Sequence, residues 1–580
     1  MNKFIDFRKK LSHTTHFLVF SCLRTTLLIF SCLRTKLLCS YNYFLGIQSY
    51  VLHILLFRVN PFWIEVFYFI IVSLVGFLAL RISKTRKTSF TPKDFDLIFT
   101  SVSAATVSSV STVEMEVFSN IQLVFLTFLM LFGGEVFYSM IELHLMKSKL
   151  QKIRIKDNET DSYITDSDSS NPKNSIDHIE LGMVTHSEDE KPDATLETDE
   201  KAPETETLKF NSIIILSHVV LCYLLVVHVA GFSLILFYLS LISSAKEVLQ
   251  KKGLNVKTFG IFTTVSSFAN CGFVPTNENM MVFKKNTGLL LILIPQILIG
   301  NTLYPVCLRL IIWFLEKFMK RAEFRYMLKN SRELGYAHLL PGLHSAFLAF
   351  TVFAFIAIQF VLFCLLEWHS EAISGISSYQ KMVGSLFQVM NSRHAGESVF
   401  IESHLYNSND IGTLNDLVLI WYRYLPPYTS FLPIEEKSST STKRKNIMEH
   451  ILFSQLSYLV IFIILICITE REKMKRDPLN FNVLNIVIEV IRFLFNKDPK
   501  LLNSSCLKEI TMFCSAYGNV GFSMGYSCAK QIHPDKYCKD ASYGFVGKWS
   551  DGGKFIIILV MFFGRLKKFS KRGGKAWKLP

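Results

Sequence analysis

The sequence predicts an all-α integral membrane protein: four pseudo-repeated membrane–pore–membrane (M1-P-M2) units around one central pore. Three observations predict it. Apolar stretches of spanning length recur along the 580 residues. Four semi-polar segments share a residue pattern and are too short to cross a bilayer. Each ends in a Gly- or Ser-bearing turn, with another apolar or partly apolar stretch following.

The spans come from arrangement more than composition. Half of the residues are hydrophobic, which is ordinary for soluble domains, and the mean hydropathy is +0.32. A spanning helix needs about 20 mostly apolar residues. Stretches at 62–80, 121–143, 210–243, 288–315, 342–366 and 450–468 qualify, with a short one at 555–563 flanked by charge. A weaker one at 411–432 is interrupted by Asn415, Asp416 and Arg423. So many spans imply a polytopic protein.

The net charge of +15 is uneven. Residues 157–206 hold 16 Asp and Glu against 3 Lys, a net of −13, so the rest carries +28. This acidic stretch has almost no aromatics and reads as a flexible linker. The cations flank apolar spans, as at Lys147–Lys156, Lys317–Arg332 and Arg565–Lys578. That is membrane-end anchoring, and it argues against nucleic acid as a partner. Residues 1–40 are basic and apolar but lack a small-residue cleavage site, so they are read as a cytoplasmic lead-in. They contain a near-duplicate, Phe20–Thr25 and Phe30–Thr35. The 12 Cys show no CxxC pair and no metal-ligand spacing. Cys222, Cys307, Cys364 and Cys467 fall in spans and read as buried small hydrophobes. Cys528 and Cys538 are candidates for an external disulfide.

The organisation follows: lead-in 1–58, repeat 1 at 59–147, disordered acidic linker 148–208, repeat 2 at 209–332, repeat 3 at 333–447 and repeat 4 at 448–580. The repeat signal is Phe99-Thr-Ser-Val-Ser-Ala-Ala-Thr-Val-Ser-Ser109 against Phe262-Thr-Thr-Val-Ser-Ser-Phe-Ala-Asn-Cys-Gly272. Leu386–Gly396 and Thr511–Gly521 share the layout, and Asn270-Cys-Gly272-Phe matches Asn519-Val-Gly521-Phe. A short helix followed by irregular backbone at membrane depth is allowed only where it lines a cavity or is buried in protein. An ion leaving water needs oxygens in place of its hydration shell, and backbone carbonyls of an extended turn supply them. Gly suits such a turn, and short helices aim their negative C-terminal ends at the cavity. Gly272, Gly396 and Gly521 are therefore candidate filter positions, with Ser109 as the fourth.

Longer motifs carry a family resemblance. Thr106–Asn120, Ala269–Glu278, Asn391–Glu397 and Ser515–Phe522 resemble the pore loops of the plant high-affinity potassium transporter (HKT) family. Tyr424–Thr429 and Gly564-Arg565 look like further signatures of that family. The resemblance covers roughly 60–580 outside the acidic linker. It implies the Trk/Ktr/HKT architecture. In the family, Ser at the first filter position marks the sodium-selective subfamily, and Ser109 matches that position. The resemblance thus implies Na⁺ held at the filter carbonyls of Ser109, Gly272, Gly396 and Gly521. It also implies passive, cofactor-free Na⁺ influx at the plasma membrane, with retrieval of Na⁺ from xylem sap. K⁺ is the other monovalent cation the pathway would take. Arg565 is expected as a barrier below the filter, and Glu114 and Glu116 as attractors of cations at the outer mouth. Bacterial relatives dimerise, so a homodimer is expected by analogy.

Two departures from the family pattern stand out. Residues 492–514 form an insert inside the fourth pore helix, with Arg492, Lys497, Asp498, Pro499 and Lys500; Pro499 disfavours a continuous helix. The span after Gly396 is polar for its place. A non-conducting paralogue is the alternative these departures raise, and a Na⁺/K⁺ symporter is the other. Gly521-Phe-Ser523-Met-Gly525 matches the GxSxG elbow of serine hydrolases. It overlaps a repeat that lacks Ser elsewhere, and the chain is read as no enzyme.

Overall fold

The computed structural model describes residues 61–86, 91–164, 201–370, 373–400, 455–481 and 544–566, with positions 483, 486, 526 and 528. The chain divides into two units, Met1–Ile64 and Glu65–Pro580. Of the first, only 61–64 are described; the packing below lies within the second. Among the described residues the chain is helical and has no strand. The lead-in with its duplication, the weaker span at 411–432, the insert at 492–514, and the Gly521 loop with its overlapping elbow lie outside the described residues.

Helix α1 (Pro61–Ile82) opens on proline, whose fixed φ suits a first helical position. Its 22 residues rise about 33 Å, enough for a hydrocarbon core. Ile71, Val75 and Leu78 are exposed while Phe69 and Leu80 are buried. That is the division expected of one lipid-facing and one protein-facing side. Helix α2 (Asp94–Ala105) has only 12 residues. It buries Thr100, Ser101 and Ser103, with Thr100 and Ser101 satisfied by the carbonyls of Asp96 and Ser73. Helices α3 (Asn120–Gly133) and α4 (Glu135–Ile164) follow; a capping box of Ser119 and Gln122 starts α3.

The second repeat copies this order. It has the long α5 (Lys201–Leu241), a short α6 (Ser243–Lys251), the pore helix α7 (Val256–Ala269), then α8 (Thr287–Ile299) and α9 (Tyr304–Met319). Helix α10 (Ala322–Lys329) leads to the third repeat, with α11 (Gly342–Glu367) and pore helix α12 (Ser378–Arg393). The fourth shows α13 (Gln455–Thr469), α14 (Arg471–Arg476) and α15 (Asp551–Arg565).

By length and composition α1, α5 and α11 each suffice to cross a membrane, and two bent pairs bring the total to as many as five among the described residues. The pairs show that 121–143 and 288–315 are not straight spans. Helices α3 and α4 meet at 55°, and α8 and α9 at 82°. Both breaks have the same cause. A Cβ on Gly133 would lie 2.1 Å from the Ala105 carbonyl oxygen, and one on Gly300 would lie 1.9 Å from that of Phe268. Each second span turns where its glycine lets it press on the C-terminal end of its own pore helix.

The linker expected at 148–208 is narrower than the composition implies. Helix α4 continues to Ile164 and α5 begins at Lys201. Good helix formers such as Lys149, Gln151 and Lys152 extend a helix already nucleated by packing. The cysteines differ too. Cys222 is exposed and Cys307, Cys364 and Cys467 are half-buried; a small apolar side chain facing lipid has no drive inward. Cys528 is disulfide-bonded, and Cys538 lies outside the described residues.

The interfaces run in one sense. Helix α3 of repeat 1 packs on pore helix α7 of repeat 2, and α8 of repeat 2 packs on pore helix α12 of repeat 3. Helix α15 of repeat 4 packs back on pore helix α2 of repeat 1. There Phe99 and Val102 bury against Ile466, Ile557 and Met561. These three interfaces, second span onto next pore helix with the last returning to repeat 1, follow the contact order of a ring; the repeat 3 to repeat 4 interface lies outside the described residues. Apolar side chains on the outside, such as Val229 and Phe237 on α5 and Leu343 and Phe350 on α11, are exposed, as a bilayer solvent requires.

Candidate ion pathway

The three described pore helices end at Ala105, Ala269 and Arg393. Three or four residues later come Ser109, Gly272 and Gly396. All three have left-handed backbone, with φ of 46°, 89° and 78°. Repeat 1 spends one more residue in its loop and takes Val107 through φ 59° as well. The Phe99 and Phe262 motifs align without a gap, so the difference lies in where the helix ends, one residue earlier in repeat 1.

These positions converge. A Cβ built on Gly272 would fall 1.5 Å from the carbonyl oxygen of Ala395, the residue before Gly396, and 3.2 Å from Oγ of Ser109. Three repeats therefore meet within a few ångströms, at the point towards which three negative helix ends are directed. The Ser109 hydroxyl is buried and has no hydrogen-bond partner among the described residues. Side chains fix the loops from behind. Ser266 donates to the Phe273 carbonyl at 2.7 Å, and the Val399 N–H donates to Gln388 at 3.0 Å. Asn270, itself left-handed, donates to the Ile297 carbonyl at 3.2 Å. Gly521 lies outside the described residues.

Glu114 and Glu116, the residues expected at the outer mouth, belong to a charge cluster around Lys252. Lys252 Nζ donates to Glu116 and to Glu278, each at 2.7 Å. Glu116 also accepts from the Asn277 N–H at 3.1 Å, and Glu114 accepts from the Asn277 side chain at 3.0 Å. Burial opposes the Lys252 ammonium, but its bonds to both carboxylates carry its pKa above the ordinary lysine value. Burial likewise opposes the Glu278 carboxylate, and Lys252 brings its pKa below the ordinary range. The pair stays ionised from mild acid to mild alkali, so Glu116 faces a cation of the protein itself. Lys252→Gln removes the cation that pairs with both carboxylates and leaves Arg86 as the cation acting on Glu116. The half-saturating Na⁺ concentration, read by voltage clamp, is expected to fall about two- to threefold at low ionic strength and to converge with wild type at high salt.

Arg565 closes α15. Its Nη2 donates to the Gly133 carbonyl, an orphan acceptor at the end of α3, and its guanidinium lies 5.4 Å from the Phe69 ring centre. It therefore sits at the break between α3 and α4.

Two features of the site went unmarked in the sequence. Lys554 of α15 donates to Asp96 of α2 at 2.7 Å, with both side chains nearly buried. Glu397, next to Gly396, is fully buried. The available signal was a charge inside an otherwise apolar or pore segment.

A family model described as a cation transport protein, TrkH, matches residues 190–422. Cation transporter HKT1;3 of Oryza sativa subsp. japonica is 45% identical over 531 residues, 90% of this chain and 92% of that protein. The chain belongs to the HKT family. Sodium transporter HKT1 of Arabidopsis thaliana is also 45% identical, over 86% of this chain and 92% of its own length. Cation transporter HKT2;4 of Oryza sativa subsp. japonica is 36% identical over 88% and 92%. This HKT chain is thus more similar to these HKT1-named relatives than to the HKT2-named one. Its family places it in the Trk/Ktr/HKT superfamily as a multi-pass membrane protein that transports cations, which is not an enzyme class.

Proposed function

We propose that this HKT chain is a sodium-selective, channel-like uniporter. Na⁺ crosses the plasma membrane passively through a filter of Ser109, Gly272, Gly396 and Gly521, without a cofactor, and the chain serves to withdraw Na⁺ from xylem sap. One observation carries the selectivity reading. Serine occupies a left-handed position, φ 46°, that matches glycines in two other repeats, and its hydroxyl has no partner among the described residues at the meeting point. A side chain there narrows the ring and adds one oxygen that is not a carbonyl. The cage loses its symmetry, and with it the fit to an ion the size of K⁺.

Expression in oocytes with external Na⁺ and K⁺ exchanged tests this. The wild-type reversal potential is expected to follow Na⁺ and ignore K⁺, and Ser109→Gly is expected to make it follow both. A wild-type potential that follows both ions would replace the uniporter with the symporter reading. Absence of current from protein shown at the surface would favour the non-conducting paralogue.

A further inference from the structure

Glu397 is the first residue after the Gly396 turn, and its side chain is entirely buried. One carboxyl oxygen accepts from Ser267 Oγ at 2.8 Å. The other has no hydrogen-bond partner among the described residues. No lysine, arginine or histidine forms an ion pair with it among those residues either. Two other buried carboxylates do have such partners: Asp96 has Lys554, and Glu470 has Lys473 and the Ser550 N–H. Ser267 lies near the C-terminal end of α7, so Glu397 joins pore helix 2 to filter loop 3, directly behind Cys271 and Gly272. A buried carboxyl without a countercharge must either hold a proton or find a cation. Here a cation would lie beside it whenever the filter is occupied.

We propose that Glu397 is an affinity-determining residue of the filter: its charge, compensated by the ion in transit, tightens the hold on monovalent cations at the Gly272 and Gly396 carbonyls. The inference rests on the pore reading above. The ion touches carbonyls while Glu397 acts through space, so the effect falls on affinity more than on maximal current.

Glu397→Gln isolates the charge, because glutamine keeps the shape and an oxygen to accept from Ser267. In oocytes, with surface protein quantified, Glu397→Gln is expected to raise the half-saturating Na⁺ concentration at least about tenfold while the maximal current changes less. Ser267→Ala removes the hydrogen bond and keeps the charge; its half-saturation is expected within about threefold of wild type. A wild-type half-saturation in Glu397→Gln would mean a neutral carboxyl and overturn the proposal. So would a shift in Ser267→Ala as large as that in Glu397→Gln, which would mark a scaffold role. If Glu397→Gln fails to reach the surface, Glu397→Asp decides. A half-saturation within about threefold of wild type supports the charge, and a tenfold rise overturns it. Wild-type protein at the surface without cation current would sink the pore reading itself, before any variant is compared.

Discussion

Gly272→Ala removes cation current, by at least about tenfold at equal surface density. Two independent costs converge on this one methyl group. At φ 89° the residue occupies backbone that L side chains adopt at about 1–2 kcal/mol. The new Cβ would also lie 1.5 Å from the Ala395 oxygen, and that neighbour is backbone. Overpacking of this kind costs about 1–3 kcal/mol, and relief here can come only by displacing the carbonyls of filter loop 3. The filter is the part of the molecule where a displacement of about 1 Å changes the coordination shell. The measurement is whole-oocyte current against surface biotinylation. Current and surface density both near wild type would show that loops 2 and 3 do not meet as described.

Breaking the Lys554–Asp96 pair is expected to destabilise the ring of repeats. This pair lies between α15 and α2, where repeat 4 returns to repeat 1. Removing one partner strands a buried charge, at about 3–5 kcal/mol. Lys554→Met and Asp96→Asn should each lower the thermal midpoint of the detergent-solubilised protein and its surface density. The double variant, with no charge left stranded, should lose less than the two singles together. Additive losses would mean the two side chains do not interact. Asp96 also sits in the first turn of α2, where a negative charge favours the helix. Asp96→Asn therefore carries a small second cost that Lys554→Met does not.

Much of this was legible in the residues. Length and hydropathy place α1, α5 and α11, because a bilayer allows only helices of that length with satisfied backbone. The pore helices were legible from their opposite character: Thr100 and Ser103, or Thr263 and Ser266, are too polar for lipid and too regular for a loop. The breaks were hidden, since 288–315 reads as one apolar run. Gly300 matters only because the Phe268 carbonyl presses on it. Glu116 looked like a free attractor because sequence distance conceals Lys252, 136 residues away.

The sequence by itself determined the repeat, the membrane setting and the left-handed turns at Ser109, Gly272 and Gly396. All three are local patterns, set by periodicity and by the few residues that tolerate a left-handed turn. The tertiary structure decided which charges are compensated and which are not. Glu116 meets Lys252, Asp96 meets Lys554 and Arg565 meets the Gly133 carbonyl, while among the described residues Glu397 meets only Ser267, on one oxygen. Such partners come from different repeats, 130 or more residues apart. Electrostatic energy in a buried site depends on distances in space, which spacing along the chain does not encode.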